Sequence, residues 1–443
     1  MSCSLAICII TYERAESVRA FLENCAAYYI AAGADIYYYD SSRNDETEMI
    51  VTTWTDKDHV HYLRLPPELT PNEKMYRVFQ GFGWEKHYDF MALTNDSNQF
   101  SQRAVEHLMQ CLRKTYDIIV YTEKTYKSCD PQEFFNVCGR GLMHLGCTFV
   151  NVHTVLENVN WAKYEDIFAP PDKKEDWAEM GAYFIFYFRR ILELRPFSAL
   201  SLSLTGRKTN RWSLPERKKT IYDHNMIQYL CEGWMRTYER IPNDYKEKWK
   251  VCAKAASIYA TGRLSDFYLY KRKEMFGWTD FVKYWDTWSK VTEIPRVLLA
   301  FPAITPRKIL KICHESKMNW KEKQMETFCR RHKRVFIYGA GTNGAIVGSY
   351  MTAHGMGYEA YCTTEKKPGK DFFKGYPVYE FEELFVDCDE NTGFVIAMRQ
   401  RNAKAVLRAL EKCIDAKHCF YYPMLVADIR EEMGCSAYSG FYV

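Results

Sequence analysis

The sequence predicts an α/β protein: a mainly parallel sheet with helices on both faces, then a helical region, then a second and smaller α/β domain. Three observations lead there. Short apolar runs alternate with amphipathic stretches over the first 125 residues, a βαβα rhythm that implies parallel strands joined by crossover helices. The stretch from Tyr222 to Trp288 is rich in Trp and Tyr at helical spacing. The strand–helix alternation then resumes at Arg334 and runs to Tyr422.

Taken in order, the apolar run LAICII (Leu5 to Ile10) reads as a buried strand. Val18, Phe21, Leu22, Cys25 and Tyr29 then recur at three- and four-residue spacing, which is helical. Strands are expected at Asp35–Tyr39, His59–Leu65, Asp89–Leu93 and Asp117–Tyr121, with helices at Asp45–Trp54, Asn72–Trp84 and Gln102–Lys114. Phe134–Met143 and Trp177–Leu194 read as helices and Gly146–His153 as a strand. Pro302 and Pro306 punctuate a boundary before a basic segment. Beyond it come Arg334–Tyr338, a glycine turn, a helix to His354, strands at Gly357–Cys362 and Gly393–Ala397, a helix at Asn402–Cys413 and a last strand at His418–Tyr422. The expected division is a sheet domain over 1–220, a helical region over 221–305, a basic linker over 306–332 and the second domain over 333–443.

Composition narrows the class. At 443 residues the chain is too long for a single core. A content of 47% hydrophobic and 26% charged residues is that of a folded soluble protein, and 33 Tyr imply extensive aromatic packing. A net charge of +4 gives no ground for a nucleic-acid partner, although ten Lys/Arg face three Glu between Arg307 and Arg334. The sixteen Cys include no CxxC pair and no zinc spacing, and Cys8, Cys25, Cys147 and Cys362 fall in apolar runs. Met1-Ser2-Cys3 runs directly into the first strand, so no signal peptide is expected and the cytoplasm is the expected location. Met180 to Leu192, interrupted by Arg189-Arg190, reads as a buried helix rather than a membrane span.

In open parallel sheets ligands bind outside the carboxyl ends of the strands. Thr11, Asp40 and Asp96 all fall at such ends, so three separated segments are expected to converge on one crevice. A nucleotide-sugar transferase needs a carboxylate for the base, a site for the diphosphate charge and a base for the acceptor hydroxyl. Asp40 suits the first and Asp96 a divalent metal, Mn²⁺ or Mg²⁺, while Lys74 and Arg64 supply fixed positive charge. Taken singly, Asp40 and Asp96 also suit caps of the helices that follow.

The segments IITYERAESVRAFLENC, DIYYYDSSRNDETEMIV and YDFMALTNDSN together resemble the family 2 glycosyltransferases of the GT-A fold. Their usual pattern is a strand plus T-Y-N-R, a strand plus D-D-G-S-x-D-x-T and a strand ending in D-x-D. The resemblance covers roughly residues 4–125, and more loosely the chain to about 300. It implies that Thr11, Tyr12 and Asp40 line the nucleoside pocket, with Arg14 and Asn95 in the donor site, and that Asp96 is the second Asp of D-x-D. Three positions depart from the pattern: Glu13 for Asn, Ser41 for the second Asp of D-D-G-S, and Thr94 for the first Asp of D-x-D. The last leaves one metal carboxylate where two are usual. In inverting members the catalytic base lies downstream, and Glu175-Asp176 in PPDKKEDW is the best match; an acidic helix start reads equally well. His153 is a further candidate for the acceptor side, or a satisfied structural histidine.

The run VFIYGAGTNG places Gly339, Gly341 and Gly344 between a strand and a helix, the context of a dinucleotide fingerprint. NAD needs an acid at the end of the next strand, and that strand ends Cys362-Thr363-Thr364, so NAD is poorly supported. With GYPVYEFEEL and FVIAM, the segment 333–425 instead resembles the Rossmann-like domain of bacterial sugar acetyltransferases. That implies nucleotide binding or a structural, oligomerising role. The basic linker reads either as a solvated helix face or as a contact with an anionic membrane at the inner face of the cell.

The expectation is therefore an inverting, metal-assisted glycosyltransferase that moves a sugar from a nucleotide-diphospho-sugar, UDP-linked, to an acceptor hydroxyl. Its acceptor would be a glycan or lipid-linked glycan in surface polysaccharide or glycan assembly, and homo-oligomers are compatible with it. A non-catalytic nucleotide-sugar-binding subunit and an NAD-dependent oxidoreductase are the alternatives.

Overall fold

The computed structural model describes residues 3–432 apart from 55–57, 97, 113–115, 123, 169–180, 204–206, 210–225, 258–260, 367–370, 399 and 423–424. The chain divides into two compact units, Met1–Ile304 and Thr305–Val443. The fold is mixed α/β, with a large, mainly parallel sheet flanked by helices and a second six-stranded sheet.

Eight strands form the first sheet: β1 (Leu5–Thr11), β2 (Ala34–Asp40), β3 (Val60–Arg64), β4 (Phe90–Thr94), β6 (Ile118–Thr122), β7 (Tyr126–Ser128), β8 (Thr148–Asn151) and β9 (Ala199–Ser203), in the order β3-β2-β1-β4-β8-β6-β9-β7. The strands β5 (Asn98–Phe100) and β10 (Arg207–Thr209) pair separately and antiparallel. β1, β2, β3 and β4 run parallel, with Thr11 beside Asp40, Asp40 beside Arg64 and Ile9 beside Thr94. Their carboxyl ends therefore share one edge. β8 is antiparallel to both β4 and β6 and reverses the direction there.

Burial explains why these runs are strands. Every residue of β2 is buried, and β1 is buried except at Ile10, as expected of a strand covered on both faces. The tyrosine excess goes inside: Tyr37, Tyr38 and Tyr39 are fully buried, and Phe79, Phe168, Tyr164 and Trp161 cluster around Phe186. Phe186 belongs to the helix Ala182–Glu193, whose residues 182–188 are all buried, so the longest apolar run is a core helix. No described helix is long and apolar enough to cross a membrane. The helix Pro71–Phe79, which matters below, starts with Pro at its first turn and a reciprocal Thr70–Glu73 capping box.

The second unit carries β11 (Arg334–Tyr338), β12 (Ala360–Thr363), β13 (Phe372–Phe373), β14 (Tyr376–Glu380), β15 (Thr392–Ile396) and β16 (Cys419–Phe420), ordered β13-β14-β12-β11-β15-β16. All pairings but β13–β14 are parallel. The basic segment expected as a linker is one helix, Arg307–Arg331, which buries Met318, Lys321, Met325 and Phe328. Lys321 pays for its burial with an ion pair to Asp428 and a position 3.7 Å over the Tyr422 ring.

Candidate functional site

The crevice at the carboxyl edge of the first sheet is built by the loops that follow β1, β2 and β4. After Thr11 the chain turns sharply: Glu13 takes a left-handed backbone (φ 49°), and its N–H donates to Ser42 Oγ at 2.6 Å. This ties the first loop to the second. Ser42 in turn donates through its N–H (2.9 Å) and its hydroxyl (2.5 Å) to Asp40 Oδ1, and Tyr62 donates its hydroxyl to Asp40 Oδ2 at 2.8 Å. Asp40 is fully buried, and most of its acceptor capacity is taken. It holds the loop after β2 in an Asx-type turn rather than capping a helix.

Arg64, at the end of β3, donates to the carbonyls of Ser42 and Asn44 and pairs with Asp45 and Glu48. Its guanidinium shapes the same loop. Lys74, from the first turns of the helix Pro71–Phe79, is only 6% exposed, and its Nζ lies 5.4 Å from the centre of the Tyr12 ring. Burial pushes the Lys74 ammonium down to about 8, against the opposing pull of Asp40. Tyr12 itself is 39% exposed.

At the end of β4, Asp96 is 1% exposed. Thr11 Oγ1 donates to its Oδ2 at 3.4 Å, and Arg14 Nη2 lies 2.9 Å from its Oδ1 as an ion pair without hydrogen-bond alignment. Burial raises the Asp96 carboxyl to about 6, with Arg14 and Thr11 pulling the other way. The Arg14 side chain keeps about a third of its surface in solvent (35%). Asn95 is half-buried beside it, and Thr94 turns its hydroxyl to the Asn95 carbonyl at 3.3 Å.

The structure thus brings Thr11, Tyr12, Arg14, Asp40, Lys74, Asn95 and Asp96 to one edge, with Arg64 one strand further out. Glu175 and Asp176 lie outside the described residues. His153 sits at the other end of the sheet: β8 runs antiparallel to β4, which puts it beside Asp89, with Nε2 3.6 Å from Asp89 Oδ1 and Nδ1 3.1 Å from Glu157. Asp89 precedes β4, so His153 cannot line a crevice at the carboxyl ends. Sequence reasoning missed Ser42, Tyr62 and the Arg14–Asp96 pairing, all contacts formed only on folding.

Asp96 offers a divalent ion one carboxylate, so an ion held there takes its remaining ligands from substrate phosphates and water. Such ions take several oxygen ligands, and no group of three or more potential ligands occurs among the described residues. The one carboxylate here already faces a guanidinium. In the second unit, Gly339 follows β11 with φ 121°, and a side chain at Gly344 would come within 1.8 Å of the Gly339 carbonyl. Gly341 begins the helix Thr342–Ala353 and has open space around it. A cavity of about 470 Å³, lined by Arg330, His332, Lys333 and His354, opens at the amino ends of β11 and β12, away from that turn.

No family model and no curated protein matches this sequence. Among solved structures, S. aureus TarS 1–349 is similar at TM-score 0.39 and 12% identity, covering 61% of this chain and 77% of that one. Glucosyl-3-phosphoglycerate synthase from Mycobacterium tuberculosis, solved with Mn²⁺ and UDP-glucose, gives TM-score 0.32 and 10% identity over 60% and 79%. A nucleotide-diphospho-sugar transferase assignment from Desulfovibrio desulfuricans G20 gives 0.30 and 13% over 46% and 80%. Likenesses this distant carry no residue, metal or substrate across to this chain.

Proposed function

We propose that the first unit transfers a sugar from a nucleotide-diphospho-sugar, UDP-linked, to an acceptor hydroxyl in glycan assembly. The observation that carries the reading is the placement of two cations at the carboxyl edge of the sheet: Lys74, almost buried beneath the exposed Tyr12 ring, and Arg14, half-exposed above Asp96. A buried ammonium with no carboxylate in ion-pair range among the described residues favours an incoming anion. A diphosphate carries that charge, and Tyr12 offers its base a stacking face.

In this reading Asp40 and Arg64 act through the loop after β2, which they hold against the first loop through Ser42 and Glu13. Asp40 reaches the base only if Tyr62 or Ser42 yields a hydrogen bond. Thr11 and Asp96 orient Arg14 toward the phosphates, with Asn95 alongside. The acceptor hydroxyl gives its proton to a carboxylate, for which Asp176 and Glu175 remain the candidates, and attacks the anomeric carbon from the face opposite the leaving group. The bond from that carbon to the diphosphate oxygen breaks with inversion, and the nucleoside diphosphate leaves with the electron pair. No step is routed through Mn²⁺ or Mg²⁺.

A thermal-shift screen of UDP-, GDP-, CDP- and dTDP-sugars on the wild type and on Lys74→Met tests the proposal. Stabilisation of the wild type by one nucleotide class, lost in Lys74→Met, supports it. If no nucleotide-sugar stabilises the wild type, the proposal fails.

A further inference from the structure

The cavity at the amino ends of β11 and β12 lies wholly within the second unit, and its volume of about 470 Å³ is that of a small-molecule site. Its walls come from three stretches: the end of the helix Arg307–Arg331 with the residues leading into β11, His354 after the helix Thr342–Ala353, and the segment Gly355–Glu359 leading into β12. Gly355 takes a left-handed backbone (φ 69°), as the residue closing a helix often does. Gly357 carries no such demand, and a side chain there would meet nothing within 4 Å. Neither backbone nor packing calls for glycine at 357, and its presence leaves that wall of the cavity without a side chain.

His332 supplies the chemistry. It is 7% exposed, its ring packs against those of Phe328 and His418, and its Nδ1 lies 2.9 Å from the Phe328 carbonyl. A carbonyl only accepts, so Nδ1 carries a proton and donates. Nε2 is the atom left for a ligand, and it makes no hydrogen bond among the described residues. The carboxylates lining the cavity are already engaged, Glu326 with Arg330 and Glu359 with Arg334. Lys333 is the cation left over: its ammonium forms no ion pair or hydrogen bond among the described residues.

We infer that this cavity binds a small phosphate monoester, such as a sugar phosphate, through Lys333 and His332 Nε2. An uncommitted ammonium selects an anion. A nearly buried imidazole nitrogen lining the same cavity selects a group that both gives and takes a proton, since neutral Nε2 accepts and protonated Nε2 donates. A carboxylate only accepts. A phosphate monoester does both, because its second proton and an imidazole proton are held with similar affinity, and one proton serves the pair whichever partner holds it. The inference is independent of the proposed transferase activity of the first unit.

Titration calorimetry of the full chain with glucose 6-phosphate, inorganic phosphate, glucose and sulfate tests it. The two phosphates are expected to bind, glucose not, and sulfate, with no proton to share, about tenfold more weakly than inorganic phosphate. Lys333→Met should weaken glucose 6-phosphate about tenfold or more, the scale of one charge-assisted hydrogen bond, and Gly357→Leu should abolish its binding by filling the cavity. Lys333 is exposed, so Lys333→Met decides the matter alone if Gly357→Leu fails to fold. Absence of phosphate binding to the wild type overturns the inference, as does sulfate binding equal to that of phosphate. So does binding that survives in Lys333→Met and is lost in Lys74→Met, since the phosphate would then sit in the first unit.

Discussion

Arg14 Nη2 stands 2.9 Å from Asp96 Oδ1, pairing residues 82 positions apart (14 and 96), with the carboxylate buried and the guanidinium partly in solvent. The pairing does not fully offset the desolvation of Asp96, whose carboxyl is raised to about 6. With its folded value above the unfolded one, the native state holds this proton more tightly. The stability so gained is complete below about pH 4 and is lost as pH rises through about 6. The stability of wild type relative to Asp96→Asn should therefore fall by about 1–3 kcal/mol between pH 4 and pH 7 in urea unfolding. Arg14→Ala should move that window to higher pH. A flat difference would show that the carboxylate is not desolvated.

The same pair predicts how donor binding responds to metal. If Arg14 meets the diphosphate charge, chelation should change the Kd for UDP by less than about threefold, under 1 kcal/mol. Arg14→Ala in chelator should weaken UDP by about tenfold or more, the scale of one charge-assisted hydrogen bond. Titration calorimetry with EDTA and with Mn²⁺ measures both. Loss of wild-type binding in EDTA would return Asp96 to the role of metal ligand.

The pairing also marks where legibility in the sequence stopped. Each strand expected in the first 125 residues occurs within one or two residues, because local apolar patterning and burial agree there: the runs at Leu5 and Asp35 became Leu5–Thr11 and Ala34–Asp40. The strand Ala199–Ser203 went unread, since its short alternation gains meaning only from parallel pairing with Ile118–Thr122, some 80 residues earlier. The basic run 306–332 gave no sign of being a docked helix, because its burial rests on Asp428 and Tyr422 near the end of the described chain. The strand-end positions of Thr11, Asp40 and Asp96 were legible. Their hydrogen bonds were not.

Lys74 predicts a pH dependence of opposite origin. Its folded value is depressed to about 8, so the native state favours the neutral amine, and the stability it contributes grows as pH rises from 8 toward 10.5 and is lost as pH falls through about 8. Binding of a diphosphate needs the charged form. Affinity for UDP should therefore decline above about pH 8, approaching tenfold per pH unit, while the unliganded protein gains stability over the same range. Lys74→Arg should flatten the binding profile, because a guanidinium stays protonated there. Equal decline in wild type and Lys74→Arg would assign the effect to another group.

Glu13 occupies a left-handed conformation at φ 49°, and its N–H contact with Ser42 fixes it there. A left-handed backbone costs an ordinary residue about 1–2 kcal/mol, and Asn less because its short side chain bonds locally. Glu13→Asn should raise stability by several tenths to about 1 kcal/mol, read as the urea midpoint. A loss of stability would mean that the Glu13 side chain contributes more than its backbone costs.

The three glycines of the second unit separate by what a methyl group would meet. At Gly344 a Cβ would lie 1.8 Å from the Gly339 carbonyl oxygen, a backbone atom that cannot step aside without opening the turn after β11. At Gly339 the backbone is at φ 121°, and a Cβ would also approach the Ala397 carbonyl at 3.2 Å. At Gly341 nothing lies within 4 Å. Gly344→Ala and Gly339→Ala should therefore each destabilise the protein by about 2 kcal/mol or more through strain, whereas Gly341→Ala should leave stability within about 0.5 kcal/mol. The open position is thus the informative one for a ligand. If the helix Thr342–Ala353 receives a phosphate at its amino end, Gly341→Ala should weaken nucleotide binding to the second unit without changing the melt. If nucleotides bind that unit equally in wild type and Gly341→Ala, the turn serves packing alone.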